Sequence, residues 1–274
     1  MEKNQTKKNK FKLPFVILVY VLLIPLYSNS QINYDKSFVT YFDAIKMAKE
    51  HIPDFELINE RLHWIYGRVF TFKNVKSNEL IFFSVGIYHS NEVADTVAQD
   101  YFKYMSAAMD YGSANKLGDK YWSLSSISGN YTNIFFIRKN AFFRISSHNY
   151  SELMPFALKV DSGIIEEKSY VKMGSIVEIP KIKNISKNKE IIVTNDNIKI
   201  TVKADNENRE ALEYQFYPGL TKSLEDSSNV FKFKVLKSFI NKNNVANIKA
   251  VVYNKGNVIS SIEEFNMNVV SNKK

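Results

Sequence analysis

The sequence predicts an α+β N-terminal domain, an antiparallel sheet carrying about three helices, followed by an all-β sandwich. Three observations predict it. Hydrophobic residues make up 45% of the 274 and include 20 Phe, 16 Tyr and 2 Trp, enough apolar surface to offset the conformational entropy of an ordered chain. The hydrophobic period changes after Lys168, from a mixture of helical and strand spacing to a regular period of 2. The charge changes at the same place: residues 31–167 hold 14 Lys+Arg against 16 Asp+Glu, whereas residues 168–274 hold 18 against 11. At roughly 100–200 residues per domain the length accommodates both units. The expected organisation is a signal peptide over 1–30, the α+β domain over 31–167, a linker or first-strand region over 168–189, and the sandwich over 190–274.

The N-terminus carries Lys3, Lys7, Lys8, Lys10 and Lys12 ahead of an almost wholly apolar run from Leu13 to Tyr27. That order of a basic and then an apolar region is the anatomy of a secretory signal. The run is short of the ~20 apolar residues a spanning helix needs and has Pro14 and Pro25 near its ends, so cleavage after Ser28-Asn29-Ser30 is expected, with a mature start at Gln31. An uncleaved segment would instead anchor the protein in a membrane. The expected location is therefore outside the cytoplasm: periplasm, cell surface or medium.

Phe38, Phe42, Ile45, Ala48 and Ile52 recur at helical spacing, which predicts a first helix capped by Ser37 and ended by Pro53. Residues 55–66 fit both periods and stay unassigned. Gly67 to Lys73 and Leu80 to Tyr88 predict a hairpin across the polar Asn74 to Asn78. Asn91 opens a second helix striped by Val93, Val97, Tyr101, Tyr104 and Ala108, ending near Gly112. Asn133 to Arg138 and Ala141 to Ser146 predict a second hairpin, with Asn140 suited to the positive φ of a tight turn. Ser151 begins a third helix with Leu153, Phe156, Val160 and Ile164 on one face and Pro155 in its first turn.

Beyond Lys168, alternating runs centred on Ile200, Tyr214, Phe233 and Met267 predict six or seven short strands separated by Asn-, Asp-, Pro- and Gly-rich turns. The polar stretch from Lys181 to Lys189 is expected to be open to proteases. With its opening Ile179-Pro180, its alternating strands and its Tyr217-Pro218-Gly219 turn, the C-terminal third resembles an immunoglobulin-like or fibronectin-type module of bacterial surface proteins. It departs from the antibody pattern in lacking both Cys and any Trp, so the resemblance implies architecture alone. The N-terminal domain resembles α/β domains of exported bacterial proteins, without a motif that assigns a residue.

Zero Cys excludes disulfide scaffolds, thiolate metal sites, Cys nucleophiles and lipoprotein acylation. Glycine-rich phosphate loops, the Gly-x-Ser-x-Gly elbow and the calcium-loop pattern are absent. Were residues 55–66 helical, Glu56, Glu60 and His63 would share one face, but no metal motif supports that grouping, and no metal or cofactor is expected. His51, His63, His89 and His148 are the residues suited to acid/base chemistry. Tyr121, Trp122 and Tyr131 are the candidate binding residues, because an aromatic ring stacks on the apolar face of a sugar and the first two follow the Gly112 to Gly118 loop. Lys199, Lys203, Lys232 and Lys234 project from one sandwich face, where they attract polyanions or keep sheets from pairing.

The expected function is a secreted, non-catalytic binding or interaction protein of the bacterial envelope. Its partner would be a protein or polysaccharide of that envelope and not nucleic acid. The alternative is an exported hydrolase acting on envelope or extracellular polymer, with its site in the N-terminal domain. Convergence of distant side chains in one cleft, with a strongly shifted His or carboxylate among them, distinguishes the two.

Overall fold

A computed structural model of the chain describes residues 37–63, 67–103, 110–111, 117–125, 131–189, 191–193, 195–205, 212–218, 224–225, 229–234, 240–241, 243–260 and 262–270. The predicted signal peptide, Trp64, Tyr66 and the Gly112 end of the second helix lie outside these residues. Among the described residues, three helices and a larger number of strands give a β-rich α+β architecture, and Lys36–Lys274 pack as one compact unit.

The first element departs from its predicted form. Phe38–Phe42 is a strand, β1, and the helix α1 begins only at Ala44, with Asp43 as its cap accepting from the Lys46 amide at 2.9 Å. A bulge at Thr40 turns both Val39 and Phe42 inward, so the apolar spacing that suggests a helical turn is satisfied by a kinked strand. Seven further strands then form one antiparallel sheet: β2 (Phe55–His63), β3 (Gly67–Asn74), β4 (Leu80–Ile87), β5 (Asp110–Tyr111), β6 (Lys120–Ser125), β7 (Tyr131–Arg138) and β8 (Ala141–Ser146). Their order is β2-β3-β4-β8-β7-β6-β5, which contains both predicted hairpins.

Helix α2 spans Asn91–Lys103, with the Ser90 hydroxyl accepting from the Val93 amide. Because Asp110 and Tyr111 pair with β6, the helix does not run on to Gly112 as expected. Helix α3, Leu153–Ile165, starts after Glu152 rather than at Ser151, and no side chain caps it. In the second hairpin the positive φ belongs to Lys139, at 55°, and not to Asn140. Asn140 is fully buried: its amide donates to the Val39 and Tyr88 carbonyls at 2.9 and 2.7 Å and accepts from the Val39 amide at 2.7 Å, fastening β1 to the hairpin.

One face of the seven-stranded sheet carries Phe70, Phe72, Phe83, Phe136 and Phe143, sealed by α1, α3, β1 and its partner β9 (Val171–Gly174). Val69, Phe135, Ile137 and Phe142 project from the other face, where α2 covers only part of the sheet.

The polar stretch beginning at Lys181 is an edge strand, β10 (Lys181–Lys187). It pairs with β12 (Asn197–Asp205), which pairs with β15 (Val230–Lys234). Facing them is a sheet of β11 (Ile191–Val193), β17 (Glu263–Val270), β16 (Val245–Tyr253), β13 (Glu213–Pro218) and β14 (Leu224–Glu225), in that order, with β11 and β17 parallel. Ile198, Ile200, Val202 and Phe231 of the first sheet meet Phe216, Ile248, Val252 and Met267 of the second in one apolar layer, where the Phe216 and Phe231 rings stack at 4.9 Å.

Candidate functional site

Residues 55–63 form a strand, which dissolves the helical face proposed for Glu56, Glu60 and His63. A bulge at Ile58 breaks the alternation: Glu56 pairs with Lys73 while Glu60 pairs with Phe70, so the two carboxylates fall on opposite faces of the sheet. Among the described residues no group of three or more His, Cys, Asp or Glu is placed to hold a metal ion.

The cross-strand register builds a different site. Arg61, Val69, Ser84, Arg144, Phe135 and Trp122 follow one another across six strands, and Asn59, Thr71, Phe82, Ser146, Asn133 and Leu124 form the next row. Both rows lie on the face that α2 covers in part, with Phe135 and Trp122 against the helix. Between them is a cleft of about 350 Å³ lined by Arg61, His63, Val69, Phe82, Thr132, Asn133, Arg144, Ser146, Ser147 and His148. Val69 and Ser146 are short enough to form part of the floor, while the arginines and histidines form the rim.

Each rim residue is positioned by its neighbours. The Arg144 guanidinium lies over the Phe135 ring at 5.7 Å and donates from Nη2 to the Asn133 side-chain oxygen at 3.1 Å. Ser147 is buried, and its hydroxyl accepts from the Tyr150 amide at 3.0 Å, which shapes the turn that presents His148 to solvent. His63 ends β2 opposite Gly67, whose φ of +73° and 2.3 Å approach of a hypothetical Cβ to the Val85 carbonyl admit no larger residue without a backbone shift. The Leu62 and His63 carbonyls are held by Gln215 at 2.6 Å and by the Tyr253 hydroxyl at 2.7 Å. Strands of the C-terminal sandwich therefore set the end of β2. Burial, helped by the positive charges of Arg61 and Arg144, holds His63 down to about 3, so its ring is neutral at physiological pH.

Tyr121 and Trp122 leave β6 on opposite faces. Tyr121 is buried in the phenylalanine-rich core, whereas Trp122 is half-buried with its ring 4.6 Å from that of Phe102 on α2. Tyr131 begins β7, opposite Ser125. Of Tyr121 and Trp122, Trp122 shares the cleft's face, two strands from Arg144 in the same cross-strand row. Of the four histidines, His63 and His148 come together in the cleft, while His51 meets the Tyr170 hydroxyl at 2.9 Å elsewhere. Sequence reasoning marked both histidines but missed Arg61, Arg144 and Asn133, since nothing local in the chain joins β2 to β7 and β8.

Two other depressions differ in kind. On the opposite face of β2 and β3, a space of about 460 Å³ is lined in part by Glu60, Arg68, Glu213 and Asn257. There Arg68 donates to Glu60 at 2.6 Å, to Glu213 at 2.8 Å and to Asn257 at 2.9 Å, so both carboxylates share one guanidinium. On the sandwich, Lys199 lies directly opposite Lys232, and with Lys234 they border a shallow hollow of about 410 Å³.

No family model matches the chain, and no curated protein matches it. Among solved structures, the glycoside hydrolase domain of Endo-D from Streptococcus pneumoniae R6 is similar at a TM-score of 0.26 and 11% sequence identity, over 78% of this chain and 37% of that one. The chain thus spans little more than a third of that structure, and a likeness at this level transfers neither fold nor activity.

Proposed function

We propose that this is an exported, non-catalytic binding protein of the bacterial envelope, whose ligand docks in the cleft on the face of the seven-stranded sheet that α2 covers in part. One observation carries the reading: the cleft gathers two arginines, two histidines, hydroxyls and an amide from distant segments, and none of its ten described lining residues is a carboxylate. Hydrolysis of a glycosidic bond ordinarily uses a pair of carboxyl groups flanking it. Of the cleft's serines, Ser147 is buried with its hydroxyl accepting from the Asn149 and Tyr150 amides. What remains is a concave, cationic and hydrogen-bonding surface suited to an anionic ligand.

The C-terminal strands support an immunoglobulin-like module in this arrangement. The orders β10-β12-β15 and β17-β16-β13 correspond to strands A-B-E and G-F-C of that fold, with β11 added alongside the last strand. Its role here is to brace β2 through Gln215 and Tyr253.

Retention of envelope fractions on immobilised mature protein tests the reading. Arg61→Ala and Arg144→Ala are expected to lower retention at least tenfold with unchanged circular dichroism. A loss on Trp122→Ala with both arginine variants intact would move the site to Tyr121, Trp122 and Tyr131. Turnover of a polymer that His63→Ala or His148→Ala abolishes would replace binding by hydrolysis.

A further inference from the structure

We propose that the lysine-bearing face of the sandwich is a second binding surface, and that its occupant is a chain of anionic polysaccharide. It lies on other strands than those of the cleft, so it holds or fails separately from the binding reading above.

The register of β12 with β15 pairs Asn197 with Lys234, Lys199 with Lys232 and Thr201 with Val230, and directly opposed residues share one face of a sheet. Ile198, Ile200 and Val202 take the other face, in the apolar layer, so Lys199, Lys203, Lys232 and Lys234 all turn to solvent together. At about 3.4 Å per residue, the strip from Lys203 to the level of Lys234 runs about 20 Å along the strands.

These four differ from other lysines of the sandwich. Lys183 meets Asp205 at 3.5 Å, Lys189 meets Asp196 at 2.9 Å, and Lys249 pairs with Glu264. Among the described residues, Lys199, Lys203, Lys232 and Lys234 have no acidic partner. Asp205, in register with them at the end of the face, is already taken by Lys183. Lys199 and Lys232 moreover stand directly opposite, an apposition of like charges that weakens a sheet where an acid at either position would strengthen it. Protection against edge pairing does not call for Lys199 and Lys203 either, because β12 is the middle strand of its sheet. The fold gains nothing from this arrangement, and a polyanion complements it.

The surroundings favour a polysaccharide among polyanions. Lys199, Lys232 and Lys234 border the hollow of about 410 Å³ together with Asn188 and Asn197, while Asn184, Ser186 and Thr201 flank Lys203 in register. Amides and hydroxyls are the partners that sugar hydroxyls use. Single-stranded nucleic acid is held by aromatic rings under its bases, and an anionic bilayer by apolar side chains beside the cations. Among the described residues this face has no aromatic side chain, and half-buried Val230 is its one apolar member. Ammonium groups act as point charges and do not distinguish a planar carboxylate from a tetrahedral sulfate, so polyuronate and sulfated chains both fit.

The test uses the full mature chain and calorimetry with polygalacturonate, dextran sulfate, neutral dextran, oligothymidylate and phosphatidylglycerol vesicles. Both anionic polysaccharides are expected to bind, with affinity falling steeply between about 50 and about 200 mM salt, and neutral dextran not at all. The double variant Lys199→Gln, Lys232→Gln should bind both at least tenfold more weakly with unchanged circular dichroism, whereas Lys199→Arg, Lys232→Arg should stay within about twofold of the wild type. Lys76→Gln with Lys168→Gln removes the same charge from the exposed pairs with Asp54 and Glu166 and should change binding less than twofold. Equal losses in the two Gln doubles would reduce the effect to diffuse attraction by net charge and overturn the surface. Tighter binding of oligothymidylate or of vesicles overturns the polysaccharide assignment. Arg61→Ala with Arg144→Ala should leave polysaccharide binding intact, and its loss there would move the polyanion to the cleft. If the wild type binds neither anionic polysaccharide, this surface fails and the cleft reading is untouched.

Discussion

At the scale of single residues, His63 links the cleft to stability. Its ordinary value of 6.5 is lowered to about 3, so between those pH values the unfolded chain takes up a proton that the folded chain refuses. Its contribution to stability is complete above about pH 6.5 and diminishes as the pH falls toward 3, by at most ~1.4 kcal/mol per pH unit for one group. Urea denaturation at pH 7, 5.5 and 4.5 should show a smaller loss for His63→Gln than for the wild type; parallel losses would mean that the imidazole is not held neutral. Asn140 makes a complementary point. The sequence suggests a turn residue, because Asn tolerates positive φ, but Lys139 takes that conformation and Asn140 spends its amide on Val39 and Tyr88. Asn140→Ala should cost about 3 kcal/mol or more by chemical denaturation, since it leaves several buried backbone groups without partners. A side chain pointing inward from a turn leaves no signature in composition.

Among elements, the ones that sequence reading recovered are those whose hydrophobic period runs unbroken. β12, with Ile198, Ile200 and Val202 buried and Lys199 and Lys203 exposed, is an example. β1 and β2 were obscured for a shared reason, since each carries a bulge, at Thr40 and at Ile58, that shifts the alternation by one and produces spacings compatible with a helix. The cleft was illegible for a further reason. It depends on sheet order, because β2 approaches β8 only through β3 and β4, and no local pattern encodes that adjacency. Gly67 is where this order can be probed. Its positive φ and the carbonyl of Val85 behind it predict that Gly67→Ala displaces the start of β3 and with it the paired His63. A loss of about 2 kcal/mol or more in urea is expected, with faster amide exchange at Leu62 and His63; an unchanged exchange pattern would show that β2 is fixed by other contacts.

Over the whole molecule, the question is how the sandwich and the seven-stranded sheet share stability. Arg68 on β3 joins Glu60 on β2 to Glu213 on β13 and donates to Asn257, whose own amide donates to the Phe42 carbonyl at 2.5 Å. Ile87 and Val258 add a parallel bridge, and Val251, Tyr253 and Ile259 join the apolar cluster under α2. These contacts are specific and partly buried, unlike the flexible tether that separate modules would need. Trypsin is expected to cut first between Lys172 and Lys189, where β9 gives way to the exposed lysines of the edge strand β10. The two fragments should nevertheless co-elute in gel filtration, because the Arg68 cluster and the Tyr253 contacts do not depend on chain continuity. Arg68→Ala removes the shared cation and leaves Glu60 and Glu213 facing one another, which should cost about 2 kcal/mol, below the usual range for buried pairs because both carboxylates are about a third exposed. In that variant the nicked fragments should separate and ligand retention should fall with them, since His63 loses its brace. Separation of wild-type fragments would mean that each half is stable alone, and co-elution of the nicked Arg68→Ala protein would assign the joint to the apolar contacts of Tyr253 and Ile259.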